Sequence, residues 1–136
     1  MSQGRILIVD DDGALLGLLK AYIKQLLPDH QVIGLQDGAA ALTELRRQPF
    51  DLILTDYIMR GMNGLDLAQA IHQISPNLPV ILMTGRYSYN EIQTRAGSAD
   101  LAGFLAKPFT MRQLRNVLQE NGLEIGSFKS GCACQQ

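Results

Sequence analysis

The chain has 136 residues, the size of one domain, and 46% of them are hydrophobic, enough to close a core on both sides of a sheet. With 18% charged residues and a formal net charge of −1, no general field draws it to nucleic acid or to an anionic membrane. No apolar run reaches the roughly 18 residues of a membrane span, and the N-terminus enters a strand pattern directly, so a cytoplasmic protein is expected whose partners recognise a site.

Taken in chain order, the first apolar run, 6–9, is continuous where a half-solvated strand would alternate, as a buried parallel strand does. Residues 14–27 follow as a helix. Leu15, Leu18, Leu19, Tyr22, Ile23 and Leu26 recur at i, i+3, i+4 as one apolar face, and Pro28 stops it. The run 31–35 is less apolar and suits an edge strand; helix 38–47 ends before Pro49. Three more buried runs, 52–55, 80–83 and 104–106, are each followed by helical spacing, over 64–74, 88–97 and 111–121. Ser88 and Glu91 form a capping box before the fourth helix. Strand and helix thus alternate five times, which calls for an α/β fold: a doubly wound, five-stranded parallel sheet, (βα)5, with right-handed crossovers.

Such sheets place their sites beyond the carboxyl ends of the strands. The residues found there are Asp10, Asp11 and Asp12 after the first run, Asp56 after the third strand, Thr84 after the fourth and Lys107 after the fifth. Each has an ordinary explanation when taken alone. Asp12 is placed to cap the following helix, Asp56 could form a turn, Thr84 suits a strand, and Lys107 could be solvated. Together they describe one chemistry. Carboxylates gathered in a crevice repel, at about 4 kcal/mol for a pair 4 Å apart at an effective dielectric near 20, and need a cation. A hard divalent ion such as Mg²⁺ suits all-oxygen ligands and also accepts phosphate oxygens. Phosphoryl transfer needs mainly positioning and neutralisation of charge. Asp56 could then be the nucleophile, with Lys107 as a point charge and the Thr84 hydroxyl as a donor.

These segments resemble the receiver domain of bacterial response regulators and hybrid histidine kinases. The resemblance covers about residues 5–121 and is carried by Ile6-Leu7-Ile8-Val9-Asp10-Asp11-Asp12, by Asp51-Leu52-Ile53-Leu54-Thr55-Asp56-Tyr57-Ile58-Met59, by Met62-Asn63-Gly64, by Met83-Thr84-Gly85 and by Phe104-Leu105-Ala106-Lys107-Pro108-Phe109. It implies a flavodoxin-like strand order 2-1-3-4-5. It also implies Asp56 as phosphoacceptor and Mg²⁺ held by Asp11, Asp56 and the Ile58 carbonyl, with Asp10 partly through water. Thr84 and Lys107 would bind the phosphoryl group, Phe104 would be the aromatic switch, and Lys107-Pro108 would be cis. The family commonly has Pro where Arg60 stands, and often a Gly ending the fourth helix where Asp100 falls. Ile58 and Arg86 flank the path of an attacking water; Ile58 cannot orient one, so slow self-dephosphorylation is expected.

By the same resemblance, a histidine kinase or phosphotransfer protein is the donor and the face made by the fourth helix, fifth strand and fifth helix meets a protein partner, with a homodimer possible there. No DNA-binding segment is expected after residue 121, and residues 1–4 and 122–136 read as tails. The isolated Cys132 and Cys134 lack a second pair for a zinc site, and neither His30 nor His72 lies at a strand end. Two other readings compete: a scaffold that keeps the fold without phosphorylation, and a Mg²⁺-dependent phosphohydrolase. The hydrolase would need a cap and a general acid beside Asp56, and neither is visible.

Overall fold

The computed structural model describes residues 4–96 and 99–125. Among the described residues ten elements alternate: β1 (Arg5–Val9), α1 (Gly13–Leu26), β2 (Gln31–Leu35), α2 (Gly38–Arg47), β3 (Leu52–Asp56), α3 (Gly64–Ile74), β4 (Val80–Thr84), α4 (Tyr89–Ala96), β5 (Gly103–Ala106) and α5 (Met111–Glu120). All pairings are parallel and the strand order is β2-β1-β3-β4-β5. The chain leaves β1 toward β2 and returns on the other side to β3, so the switch point falls between β1 and β3.

Successive side chains on a strand point to opposite faces, which is why the interior strands need apolar residues throughout. Ile6, Ile8, Leu52, Leu54, Ile81 and Met83 pack with α1 and α5 residues such as Ile23 and Leu118. Leu7, Val9, Ile53 and Val80 pack instead with Ala41 of α2 and with Leu67 and Ile71 of α3. Although it is as continuously apolar as the interior strands, β5 forms the second edge of the sheet. Its apolarity has the same cause: Leu105 lies in the cluster with Leu114 and Val117 of α5, while Phe104 packs against the cluster containing Ile92 of α4.

The apolar face of α1 differs from the expected one. Leu16, Leu19, Ile23 and Leu26 are buried and Leu15 and Tyr22 flank them, whereas Leu18 is 48% exposed. At about 100° per residue Leu18 lies a quarter-turn round from Leu19, beyond the stripe that the sheet covers. Asp100 is not helical; it is an exposed residue of the approach to β5. The Ser88–Glu91 capping box is present, with both reciprocal bonds, at 2.9 and 3.2 Å. A second box, Thr110 with Gln113, opens α5. Leu123 and Ile125 pack against the α1/α5 side of the core. Cys132, Cys134 and the remainder of the expected tail from 126 onward lie outside the described residues. Among the described residues no helix is long and apolar enough to cross a membrane.

Candidate functional site: a carboxylate crevice at the strand ends

The register of the sheet brings the polar residues together. Val9 pairs with Thr55, and Asp56 with Met83, so the next residues of β1, β3 and β4 emerge side by side. Asp10, Asp11 and Asp56 each offer an oxygen, and these atoms lie within 4.8 Å of one another. Lys107 reaches across from the end of β5, its Nζ 3.1 Å from Asp10 Oδ2 and 3.1 Å from Asp56 Oδ1. Asp10 is fully buried. It accepts from the Asp12 N–H at 2.9 Å, while Asp12 turns away to cap α1 by accepting from the amides of Ala14 and Leu15, the structural role expected of it.

Asp56 also accepts from the Tyr57 N–H at 3.0 Å. The chain after it must pass close by, because the Gly64 amide bonds back to the Tyr57 carbonyl at 2.8 Å. A Cβ on Gly64 would come 2.4 Å from the Asp56 carbonyl oxygen, so only glycine fits there. Thr84 is nearly buried at the end of β4, and the Lys107 amide donates to its carbonyl at 2.8 Å. The Thr84 Oγ1 accepts from the amides of Arg86 and Tyr87 at 3.2 and 3.4 Å, which leaves its O–H free to donate. Lys107-Pro108 is cis.

Lys107 pairs with two of three neighbouring carboxylates, and at these distances each ionised carboxylate pair repels by about 3–4 kcal/mol at an effective dielectric of 20. Burial raises the Asp56 carboxyl above its ordinary 3.8; the attraction of Lys107 works against this and the charge of Asp10 adds to it. Burial pulls the Lys107 ammonium down, but the fields of Asp56 and Asp10 and hydrogen bonds to both outweigh it and leave Lys107 raised above 10.5. The donors are oxygens without sulfur or imidazole, a set suited to a hard divalent cation.

Ile58 and Phe104 stand outside this cluster. The Ile58 side chain is 48% exposed at the rim. Phe104 lies half-buried, its ring edge-on to Tyr89 at 5.6 Å, beside a small cavity of about 130 Å³ between α4 and β5. Two features of the surroundings carry no signal in the sequence. Tyr57 and Tyr87 meet edge-to-face at 5.3 Å, and the Arg95 guanidinium sits 4.2 Å above the Tyr87 ring with Nη1 3.5 Å from the Tyr57 hydroxyl. The Arg60 main-chain N–H donates to Asp11 Oδ2 at 3.3 Å.

A five-stranded doubly wound domain with this crevice at its switch point is of the receiver class, and comparison with known proteins agrees. A family profile described as "Response regulator receiver domain" matches residues 6–131. The chemotaxis protein CheY of Pseudomonas aeruginosa is 33% identical over 121 residues, covering 85% of this chain and 94% of that protein. The two-component response regulator ARR14 of Arabidopsis thaliana is 34% identical over 117 residues, 85% of this chain, which spans only 30% of the length of that relative. The solved receiver domain of the sensor histidine kinase PA1611 from Pseudomonas aeruginosa, described with a magnesium ion in its active-site cleft, superposes with a TM-score of 0.76 at 24% identity, covering 90% of this chain and all of that one. This chain belongs to the response regulator receiver domain family of two-component signalling. Members of that family are signalling domains that work with histidine kinases or phosphotransfer proteins.

Proposed function

We propose that this domain accepts a phosphoryl group on Asp56, with Mg²⁺ bound, from a histidine kinase or phosphotransfer protein, and so switches a protein-interaction face. The observation that carries this is the Lys107 ammonium standing 3.1 Å from both Asp10 and Asp56, in a crevice where three carboxylates converge. Asp10, Asp11, Asp56 and the Ile58 carbonyl would hold the ion. When bound, Mg²⁺ neutralises the crevice and offsets the charge of the incoming phosphoryl oxygens.

An Asp56 carboxylate oxygen attacks phosphorus in line with the bond to the donor imidazole nitrogen. The P–N bond breaks, the imidazole leaves with its electron pair and takes up a proton, and Asp56 becomes an acyl phosphate. Lys107 exchanges its contact with the free Asp56 oxygen for one with a phosphoryl oxygen. The Thr84 hydroxyl, which accepts two amides, donates to another.

Moving Thr84 toward the phosphoryl group loosens its hold on the Arg86 and Tyr87 amides and opens room for Phe104 to turn inward. Phosphorylation thereby shifts the balance between two arrangements of the α4, β5 and α5 face, where a protein partner or a second copy docks. On this reading the folded unit is 5–121, with Leu123 and Ile125 packed against it, and acts in the cytoplasm, with no direct role for nucleic acid or membrane. Intact mass after incubation with acetyl phosphate and Mg²⁺ tests the reading. The wild type should gain one phosphoryl group, EDTA should prevent it, and Asp56→Ala should gain none. A folded wild type that stays unmodified would instead favour a scaffold.

A further inference from the structure

The loop between β3 and α3 carries Ile58, and three of its contacts bear on where that residue lies. Its base is closed by the Gly64 amide on the Tyr57 carbonyl, at 2.8 Å. Its middle is pinned by Met59, only 8% exposed, in the cluster with Leu67 and Val9. The third contact is polar: the Arg60 main-chain N–H donates to Asp11 Oδ2 at 3.3 Å, joining this loop to the turn after β1. Directly after Arg60, Gly61 takes φ +82°, a conformation that favours glycine, and turns the chain away.

We infer that the Arg60 amide is a positioning group for the cation site, an inference that rests on the Mg²⁺ reading given above. An ionised carboxylate accepts at both oxygens, so with Oδ2 held by Arg60 the other Asp11 oxygen remains for a cation. The same bond fixes the distance between Asp11 and the segment bearing Ile58, two residues earlier in the chain. Without it, the freedom left between the turn after β1 and this loop would have to be given up at the moment of binding, at a cost in conformational entropy. What matters is the N–H rather than the guanidinium. Proline, common in receivers at this position, has no such donor.

Calorimetric titration of the phosphate-free protein with MgCl₂ tests this, alongside the metal-free Tm of each variant. Arg60→Pro removes the N–H and fixes φ, whereas Arg60→Ala keeps the donor. A semisynthetic protein with an ester in place of the 59–60 amide removes the N–H without fixing φ. Both Arg60→Pro and the ester should bind Mg²⁺ about three- to tenfold more weakly than Arg60→Ala, the scale of one ordinary exposed hydrogen bond. A merely structural contact would lower the metal-free Tm and leave the dissociation constant of the folded protein where it was. Equal or tighter binding by the ester protein overturns the inference while leaving the Mg²⁺ site intact. A wild type that takes up no Mg²⁺ overturns the reading of the crevice itself, and this inference with it.

Discussion

Lys107→Ala should lower the stability of the metal-free domain at neutral pH by about 2–4 kcal/mol, seen as a fall in the urea midpoint. The substitution leaves Asp10, fully buried, beside Asp56 with no ammonium between them. Removing one partner of a fully buried pair costs about 3–5 kcal/mol, and the 22% exposure of the Lys107 side chain places this case somewhat lower. The loss should shrink when Mg²⁺ is added, since in the proposed site the ion and the ammonium offset the same carboxylates. In the wild type, Mg²⁺ at a hundred times its dissociation constant should itself add about 2.7 kcal/mol. An unchanged midpoint in Lys107→Ala would mean that the carboxylates are not in electrostatic conflict.

Asp56→Asn should have the opposite effect on the metal-free protein. Its Tm at neutral pH should exceed that of the wild type by roughly 3–6 °C, the shift that about 1 kcal/mol produces in a domain of this size. The sign follows from burial, which raises the native carboxyl above its ordinary 3.8 and outweighs the pull of Lys107. Below 3.8 the carboxyl is protonated in both native and unfolded chains, so its contribution is fully present and the variant has no advantage from this source. As pH rises past 3.8 toward the raised native value, the unfolded chain ionises first and the wild type loses stability relative to Asp56→Asn. The difference between the two proteins, followed by thermal unfolding in EDTA across that range, cancels the carboxylates outside the crevice, which are common to both. Excess Mg²⁺ should reverse the order if, as proposed above, the ion is held through the ionised carboxylate. A difference independent of pH would contradict the account.

Much of this was legible in the residues. The buried strands announce themselves because both faces are covered, so Ile6 to Val9 carries no polar alternation to confuse with a surface strand. The site was legible for a related reason: parallel strands end on one side of the sheet, so Asp10, Asp56, Thr84 and Lys107 had to emerge together once the strands were recognised. Position within the sheet was harder to read. For β5, apolarity reports cover by helices, and an edge strand covered on both faces looks interior. Leu18 failed because a leucine at the margin of a helical stripe scores like one at its centre.

The Thr110–Gln113 box could have been found by the rule that identified Ser88 and Glu91. The Arg60 to Asp11 bond could not, because every residue but proline has an N–H and only the path of the chain decides where it points. The cluster of Tyr57, Tyr87 and Arg95 is hidden for a similar reason: its members come from the end of β3, the loop after β4 and α4.

The central claim is that one particular carboxylate takes the phosphoryl group. Borohydride reduces an acyl phosphate to an alcohol, so an acceptor aspartate becomes homoserine, which peptide mass spectrometry can place in the chain. After treatment with acetyl phosphate and Mg²⁺, homoserine should appear at position 56 alone and should be absent when EDTA replaces Mg²⁺. Homoserine at position 10 or 11, or phosphorylated protein that yields none, would contradict the assignment of Asp56.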